Sequence, residues 1–240
     1  MPTRRPLLAF AALAALAAPL LATAADLVRG SGVAATQRRD VGAFTGVEVG
    51  GPFAVVLRPA SREAIEIVAD DNVLPLIETS VRGSSLRIDL AKNVRIEPRT
   101  KIVVTVDVVR LESVAVGGSG TIDGKAFKTA KLDAAIGGSG SIGFDDLDVG
   151  ELAVAIGGSG SFRASGRAKK LGVNIGGSGR SDTEHLAAAD VTVAVSGSGD
   201  VRVRADNALS ASIAGSGDVH YTGAATPQVA IAGSGRVKKI

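Results

Sequence analysis

From residue 117 onward a four-residue motif returns seven times at a nearly constant interval, and this periodicity decides most of what the chain can become. Four copies read Gly-Gly-Ser-Gly, at Gly117–Gly120, Gly137–Gly140, Gly157–Gly160 and Gly176–Gly179. Three later copies open with Ser or Ala, at Ser196–Gly199, Ala214–Gly217 and Ala232–Gly235. The central serines, Ser119, Ser139, Ser159, Ser178, Ser198, Ser216 and Ser234, stand 20, 20, 19, 20, 18 and 18 residues apart. A fixed period of this length marks a solenoid, in which one repeat is one supersecondary unit that buries its apolar face only by stacking on its neighbours.

Alignment on the central serine shows what each unit supplies. Three residues before it stand Val116, Ile136, Ile156, Ile175, Val195, Ile213 and Ile231, and five before it Val114, Ala134, Val154, Val173, Val193, Ala211 and Val229. Seven before come Leu132, Leu152, Leu171, Val191 and Leu209, with Glu112 and Pro227 breaking the column at its ends. Offsets of two place these residues on one face of a β-strand, and Val, Ile and Leu suit a half-buried pleated surface. Three after the serine the pattern resumes with Ile122, Ile142, Phe162, Val201, Val219 and Val237, and only Ser181 departs. Each unit reads as strand, glycine-rich corner, second short strand and variable return.

Eighteen of the 31 glycines fall inside the seven motifs, in fixed phase with the apolar columns, which separates these corners from a flexible Gly/Ser linker. Glycine there supplies positive φ or lets stacked backbones approach closely. A repeat of 18 to 20 residues is too short for strand, helix and return, which together take roughly 30 or more. The expectation is an all-β, right-handed parallel β-helix, the hand following from the strong preference of parallel crossovers.

The chain opens with a leader. Arg4 and Arg5 precede an apolar run from Leu7 to Leu21 that is interrupted by Pro19, and Ala22-Thr23-Ala24 is a small-residue cleavage site. This predicts a signal peptide over 1–25, removed before Ala25 or Asp26, and no integral membrane segment after cleavage. There is no Cys, so neither a disulfide framework nor lipid attachment through an N-terminal Cys is available. The leader carries two of the 27 basic residues and no acid, leaving 25 against 24, or +1. Such a balance offers no electrostatic footprint for nucleic acid. The basic pairs Arg38-Arg39, Lys169-Lys170 and Lys238-Lys239 are far apart along the chain and read as solvated surface.

After the leader, residues 26–38 read as a mobile lead-in and residues 39–240 as one domain. Within it, 39–112 form atypical N-terminal coils and 113–240 the regular repeats. Val47-Glu48-Val49-Gly50-Gly51-Pro52-Phe53 looks like a worn copy of the later units, and strands follow at Phe53–Leu57, Ala64–Val68, Ser85–Leu90 and Ile102–Val109. Asp71–Thr79 contains Pro75, which limits any helix there to one or two turns. An irregular first unit is expected where a stack must be capped.

These residues carry a family resemblance. Gly46–Phe53, Asp70-Asp71-Asn72-Val73-Leu74-Pro75 with Ile77-Glu78, Val81–Ile88 and the serial corners Ser196–Val201 and Ala214–Val219 together resemble the putative autotransporter adhesin head GIN domain, a family of exported bacterial proteins. The resemblance implies a right-handed parallel β-helix and brings no catalytic residues. No membrane-barrel pattern accompanies it in these residues, so autotransport itself is not carried over.

Sharper chemistries fail on spacing. A calcium β-roll needs an acidic ligand at the sixth motif position in copy after copy. That position holds Ile122, Ile142, Phe162, Ser181, Val201, Val219 and Val237, while Asp200 and Asp218 stand one residue early. A phosphate loop needs Lys followed by Ser or Thr and then a helix, and a nucleophile elbow needs Gly two past the serine; no copy has either. The seven serines read instead as a stacked ladder whose hydroxyls satisfy backbone groups. His185 and His220 are isolated from each other and from any Cys. Asp70-Asp71 and Asp145-Asp146 are carboxylate pairs, but glycoside chemistry needs two carboxylates roughly 5–9.5 Å apart across a sugar site. Six Phe, one Tyr and no Trp leave little for sugar stacking.

The sequence therefore predicts a non-enzymatic module of the bacterial envelope, a scaffold or adhesin-like interaction surface. It is expected to be exported and to lie in the periplasm or at the outer membrane or cell surface. No catalytic, cofactor-binding or metal-ligating residue is assigned. The partner is an envelope protein, a polysaccharide or a second copy, and not nucleic acid. The competing expectation is a carbohydrate-active enzyme or polysaccharide-binding β-helix, which would require Asp145, Asp146 or Asp148 to face another carboxylate in a groove.

Overall fold

The structure, a computed structural model, describes residues 26–240, and the expected leader over 1–25 lies outside them. Strands of successive coils pair in parallel because their apolar columns align only when one coil sits directly on the next. The first ladder runs from β7 (Ser85–Leu90) through β3 (Gly46–Val49) and β10 (Ser113–Val116) to β12 (Lys128–Ile136). It continues through the second halves of β13 (Ser141–Ile156), β14 (Ser161–Ile175), β15 (Arg180–Gly197) and β16 (Asp200–Gly215), and ends at β18 (Thr226–Gly233). Its register sets Ile136 on Ile156, Ile156 on Ile175, Ile175 on Val195, Val195 on Ile213 and Ile213 on Ile231, the column expected from the motif.

A second ladder joins β9 (Val103–Val108), β4 (Ala54–Pro59) and β11 (Thr121–Lys125) to the first halves of β13 to β16, then to β17 (Asp218–Thr222) and β19 (Arg236–Lys239). Its inner column, Val104, Val55, Ile122, Ile142, Phe162, Ser181, Val201 and Val219, is buried throughout. The fold is an all-β solenoid of about six turns with coils of about 20 residues. The worn copy at 46–53 is the coil on which the first regular one rests: β3 pairs with β10, and β4 with β11.

The return of each unit, expected to be variable, is itself strand, so that β13 to β16 run 15 to 18 residues without a break. Differences in coil length are absorbed there, at register shifts between Phe144 and Leu147, Arg163 and Gly166, Thr183 and Ala187, and Ala188 and Asp190. Bulges of this kind accept an extra residue without disturbing the columns on either side.

The segment 26–38 departs from the expected mobile lead-in. It forms β1 (Asp26–Arg29), which pairs in parallel with β8 (Val94–Glu97), and most of β2 (Ala34–Arg39), antiparallel to β5 (Ala64–Asp70). The first ladder ends on antiparallel β6 (Ile77–Arg82), the second on β5 and then β2. These pairings turn the strand direction and close that end of the stack. Pro75 sits in a single 3-10 turn, Leu74–Leu76, as its position required.

One buried carboxylate explains why the lead-in is held. Asp70 has no exposed surface, and it accepts hydrogen bonds from the amides of Gly32 (2.9 Å), Arg99 (2.9 Å) and Thr100 (3.1 Å) and from the Thr100 hydroxyl (2.8 Å). Burial pushes its carboxyl up, but the hydrogen bonds from Thr100, Arg99 and Gly32 together hold it below the ordinary carboxylate range. Asn72 adds two more ties, accepting from the Ser31 amide (2.9 Å) and donating to the Arg29 carbonyl (2.8 Å).

A flat uncharged face and its charged neighbours

The glycine-rich segments fall between strands of the two ladders, and there the backbones themselves are stacked. The amide of Ser139 donates to the Gly118 carbonyl (3.2 Å), Ser159 to Gly138 (3.1 Å), Ser178 to Gly158 (3.1 Å), Ser198 to Gly177 (3.1 Å), Ser216 to Gly197 (2.9 Å) and Ser234 to Gly215 (2.9 Å). The serine hydroxyls do not have the role expected of them: all seven serines are exposed, and no hydroxyl among them bonds to protein among the described residues. Backbone amides satisfy the stacked carbonyls first, which leaves the side chains to water. The middle and last glycines of the motif are the tight ones: a Cβ on Gly138 would lie 2.5 Å from the Gly118 carbonyl oxygen. A Cβ on Gly140 would lie 2.4 Å from the Gly120 carbonyl oxygen, whereas one on Gly137 would meet nothing closer than 4.0 Å. This explains why Ser196, Ala214 and Ala232 can replace the first glycine. Positive φ is confined to the last three copies, at Gly197, Gly215 and Gly233, so close approach is the requirement common to all.

Outward residues of the first ladder standing six, four, two and zero positions before each serine form one field, bordered by the charged row Lys131, Glu151, Lys170 and Asp190 eight positions before. The field holds Ser113, Ala115, Gly117 and Ser119 in the first coil and Ala153, Ala155, Gly157 and Ser159 in the third. Thr192, Ala194, Ser196 and Ser198 occupy the fifth, and Gln228, Ala230, Ala232 and Ser234 the seventh. Across all seven coils Asp133 is the one charged member, and it pairs with Lys131 at 3.2 Å. The result is a flat sheet of small side chains running the length of the regular repeats. In the sequence this face lies at even offsets from the serine, and the apolar columns at odd offsets point inward.

The other faces are charged, and many of their arginines pair with carboxylates of other coils. Arg163 bridges Asp123 (2.8 Å) and Asp145 (3.1 Å), and Arg167 bonds Asp148 at 2.6 Å with Lys128 at 3.9 Å on the same oxygen. The Arg167 hydrogen bond lowers the Asp148 carboxyl below its ordinary value against a smaller opposing effect of burial. Asp200 and Asp218 stack on each other in adjacent coils and are flanked by Arg180 (3.4 Å) and Arg236 (3.3 Å). A groove of about 670 Å³ lies over Lys128, Asp148, Val149, Arg167, Ala168 and Lys169. Asp148 sits in it beside cations, not opposite a second carboxylate. Asp145 and Asp146 are exposed, as is His185, while His220 is half-buried between Arg202 and Lys238 in the second ladder. Arg38 pairs with Glu66, and Arg39 reaches the carbonyls of Ile77 and Leu74. Lys169, Lys170, Lys238 and Lys239 are exposed. No group of three or more potential metal ligands occurs among the described residues.

With the coil geometry in place, the comparisons are decisive on kinship. The profile of the family described as putative auto-transporter adhesin, head GIN domain, matches residues 43–225. The chain belongs to this family. Solved structures share the GIN-domain fold. A putative adhesin from Bacteroides fragilis superposes with a TM-score of 0.84 at 22% identity, over 89% of this chain and 100% of its own. A putative lipid binding protein from Parabacteroides distasonis gives 0.77 at 21%, over 90% and 100%. A putative adhesin from the same species gives 0.70 at 24%, over 90% and 100%. No curated protein matches. At these identities the structures speak for the fold.

Proposed function

We propose that this GIN domain is an exported, non-enzymatic interaction module of the bacterial envelope, adhesin-like in mode, which presents its uncharged sheet face to a protein or polysaccharide partner. Its coils wind to the right and the glycine-rich segments make the corners between the ladders, as the handedness of parallel crossovers favours. The observation that carries the reading is the contrast between faces. Outside the first ladder Arg163, Arg167, Arg180 and Arg236 pair with carboxylates of other coils, while the field of the first ladder is an array of Ser, Ala, Gly, Thr, Asn and Gln broken only by the paired Asp133. A flat array with little side-chain entropy to lose suits docking of a rigid or repetitive partner.

A carbohydrate-active enzyme is the competing reading. It would set Asp145, Asp146 or Asp148 across a groove from another carboxylate, whereas Asp145 and Asp148 have Arg163 and Arg167 as neighbours. The family description supports the adhesin-like mode. The lipid-binding label belongs to a relative that shares the fold. Export rests on the leader sequence, and N-terminal sequencing of the exported protein is expected to start at Ala25 or Asp26.

Crosslinking of the protein in its own envelope tests the interaction. Ala155→Arg with Asn174→Arg places two bulky charges in the face, and Lys238→Ala, in the second ladder, is the control on another face. Loss of the crosslinked partner only in the first variant supports the proposal. Equal crosslinking in both, or hydrolysis of an envelope polysaccharide by the protein, overturns it.

A further inference from the structure

The capped N-terminal end of the solenoid carries a feature that the sheet face does not explain. Leu27 and Val33, at 58% and 60% exposure, are the two most exposed large apolar side chains among the described residues. Leu27 lies in β1 directly beside Arg95 of β8, and side chains of registered parallel neighbours leave the sheet on the same side. The Arg29–Glu97 ion pair at 3.1 Å on that side agrees with this placement. The side chain of Arg99 packs against Gly32, next to Val33; a Cβ on Gly32 would lie 3.6 Å from it.

Charge in this region is unlike that elsewhere. Lys92, Arg95, Arg99 and Lys101 fall within ten residues, are exposed, and form no ion pair among the described residues. Most arginines of the regular coils, by contrast, are matched to an Asp one coil away. The acids nearby are Asp26, Asp70, which is buried and bonded to the Gly32, Arg99 and Thr100 amides, Asp71, which accepts from the Ser31 hydroxyl, and Glu97, already paired with Arg29. Against them stand Arg29, Lys92, Arg95, Arg99 and Lys101, and Glu78 and Asp89 beside Lys92 are offset by Arg82 and Arg87. The local excess is therefore positive. The scaffold beneath is rigid, because Asp70 and Asn72 bind the 29–32 segment and Asp70 also binds the amides of residues 99 and 100.

We propose that this end of the molecule is a peripheral membrane-binding surface that rests on anionic phospholipid headgroups, with Leu27 and Val33 inserted at the headgroup boundary and Lys92, Arg95, Arg99 and Lys101 facing the phosphates. Exposed apolar groups set among unpaired cations are what an interfacial contact requires. A carbohydrate or nucleic acid polyanion would use the cations but gain nothing from Leu27 and Val33. Each cation near an anionic surface strengthens binding about fivefold. The solenoid axis would then stand away from the bilayer and leave the uncharged face accessible, so the proposal is compatible with an interaction role for that face but does not depend on it.

Vesicle sedimentation of the exported protein tests the surface, with phosphatidylglycerol-containing and pure phosphatidylcholine vesicles compared at low and high salt. The expected result is at least tenfold tighter binding to the anionic vesicles, reduced by salt. Replacing Lys92, Arg95, Arg99 and Lys101 with Gln is expected to abolish the preference, and Lys169→Gln with Lys170→Gln to leave it intact. Leu27→Ser with Val33→Ser should weaken vesicle binding several-fold without changing its salt dependence. These exposed substitutions are checked against an unchanged thermal midpoint, and Arg95→Gln alone, expected to cost about fivefold, serves if the fourfold variant folds poorly. Equal binding to neutral and anionic vesicles, insensitivity to the four substitutions, or tighter binding to heparin that ignores Leu27 and Val33 would overturn the proposal.

Discussion

Two alanine substitutions three residues apart should have opposite effects on stability, and the structure says how far apart. Gly137 and Gly140 belong to one motif, and neither adopts positive φ. At Gly137 an added methyl would meet nothing within ordinary contact range, its nearest neighbour being the Val116 carbonyl oxygen at 4.0 Å. Gly137→Ala should then stabilise by about 0.4–1 kcal/mol, through the freedom removed from the unfolded chain. At Gly140 the same methyl would stand 2.4 Å from the Gly120 carbonyl oxygen and 2.5 Å from the Val116 Cγ1. The backbone cannot yield freely, because the Gly140 amide bonds Gly118 at 3.0 Å and the Ser141 amide bonds Gly120 at 3.1 Å. Overpacking of this kind costs about 1–3 kcal/mol, and weakening either hydrogen bond adds about 1 kcal/mol. The variants should differ by about 3 kcal/mol, which at a urea dependence of about 2–3 kcal/mol/M separates their midpoints by about 1 M or more. Urea titration of both, followed by circular dichroism, reads this directly. Coincident midpoints, or a larger loss at Gly137, would refute the stacked-backbone account of the motif.

Further outcomes follow from single contacts. Ile156 is 2% exposed between Ile136 and Ile175, so Ile156→Asp should cost at least ~3 kcal/mol while Ser159→Ala stays within ~1 kcal/mol in the same titration. Asp70 has a lowered carboxyl pKa in the folded state, so its contribution is complete above the ordinary value of about 3.9 and is lost as pH falls below it. Asp70→Asn should lower the thermal midpoint at pH 7 and flatten its acid dependence below pH ~4; an unchanged acid limb would contradict the role given to this carboxylate. Calcium and EDTA should leave the thermal midpoint unmoved, since the sixth motif positions that are apolar include the fully buried Ile122 and Val201.

What the sequence made legible was periodic. Seven copies of a column average out local ambiguity, so the strands from β10 onward, the buried isoleucines and the worn coil at 46–53 could all be placed from spacing. The N-terminal end has no repeats to average. There Asp70 read as half of a carboxylate pair, because nothing local reveals that residues 32, 99 and 100 converge on it across the fold. Segment 26–38 read as mobile for the same reason: its strands pair with partners 28 to 68 residues away. The serines were located correctly, yet their hydroxyls were assigned bonds that the backbone amides make. The uncharged face was implicit in the even offsets, but its meaning depends on the other faces being paired, and pairing between coils is a property of the stack.

The central claim is that each serine motif lies directly above the one before it, one strand spacing per coil. The chain has no Cys, so pairs of spin labels can be placed without background. Labels at Ser119→Cys and Ser198→Cys span four coils and should be separated by about 19 Å, and labels at Ser119→Cys and Ser234→Cys span six coils and should be separated by about 29 Å, at about 4.8 Å per coil plus a constant linker contribution. Pulsed dipolar spectroscopy should return two narrow distributions whose difference, about 10 Å, is set by two coils alone. Broad distributions, or a separation that does not grow with coil number, would contradict the solenoid.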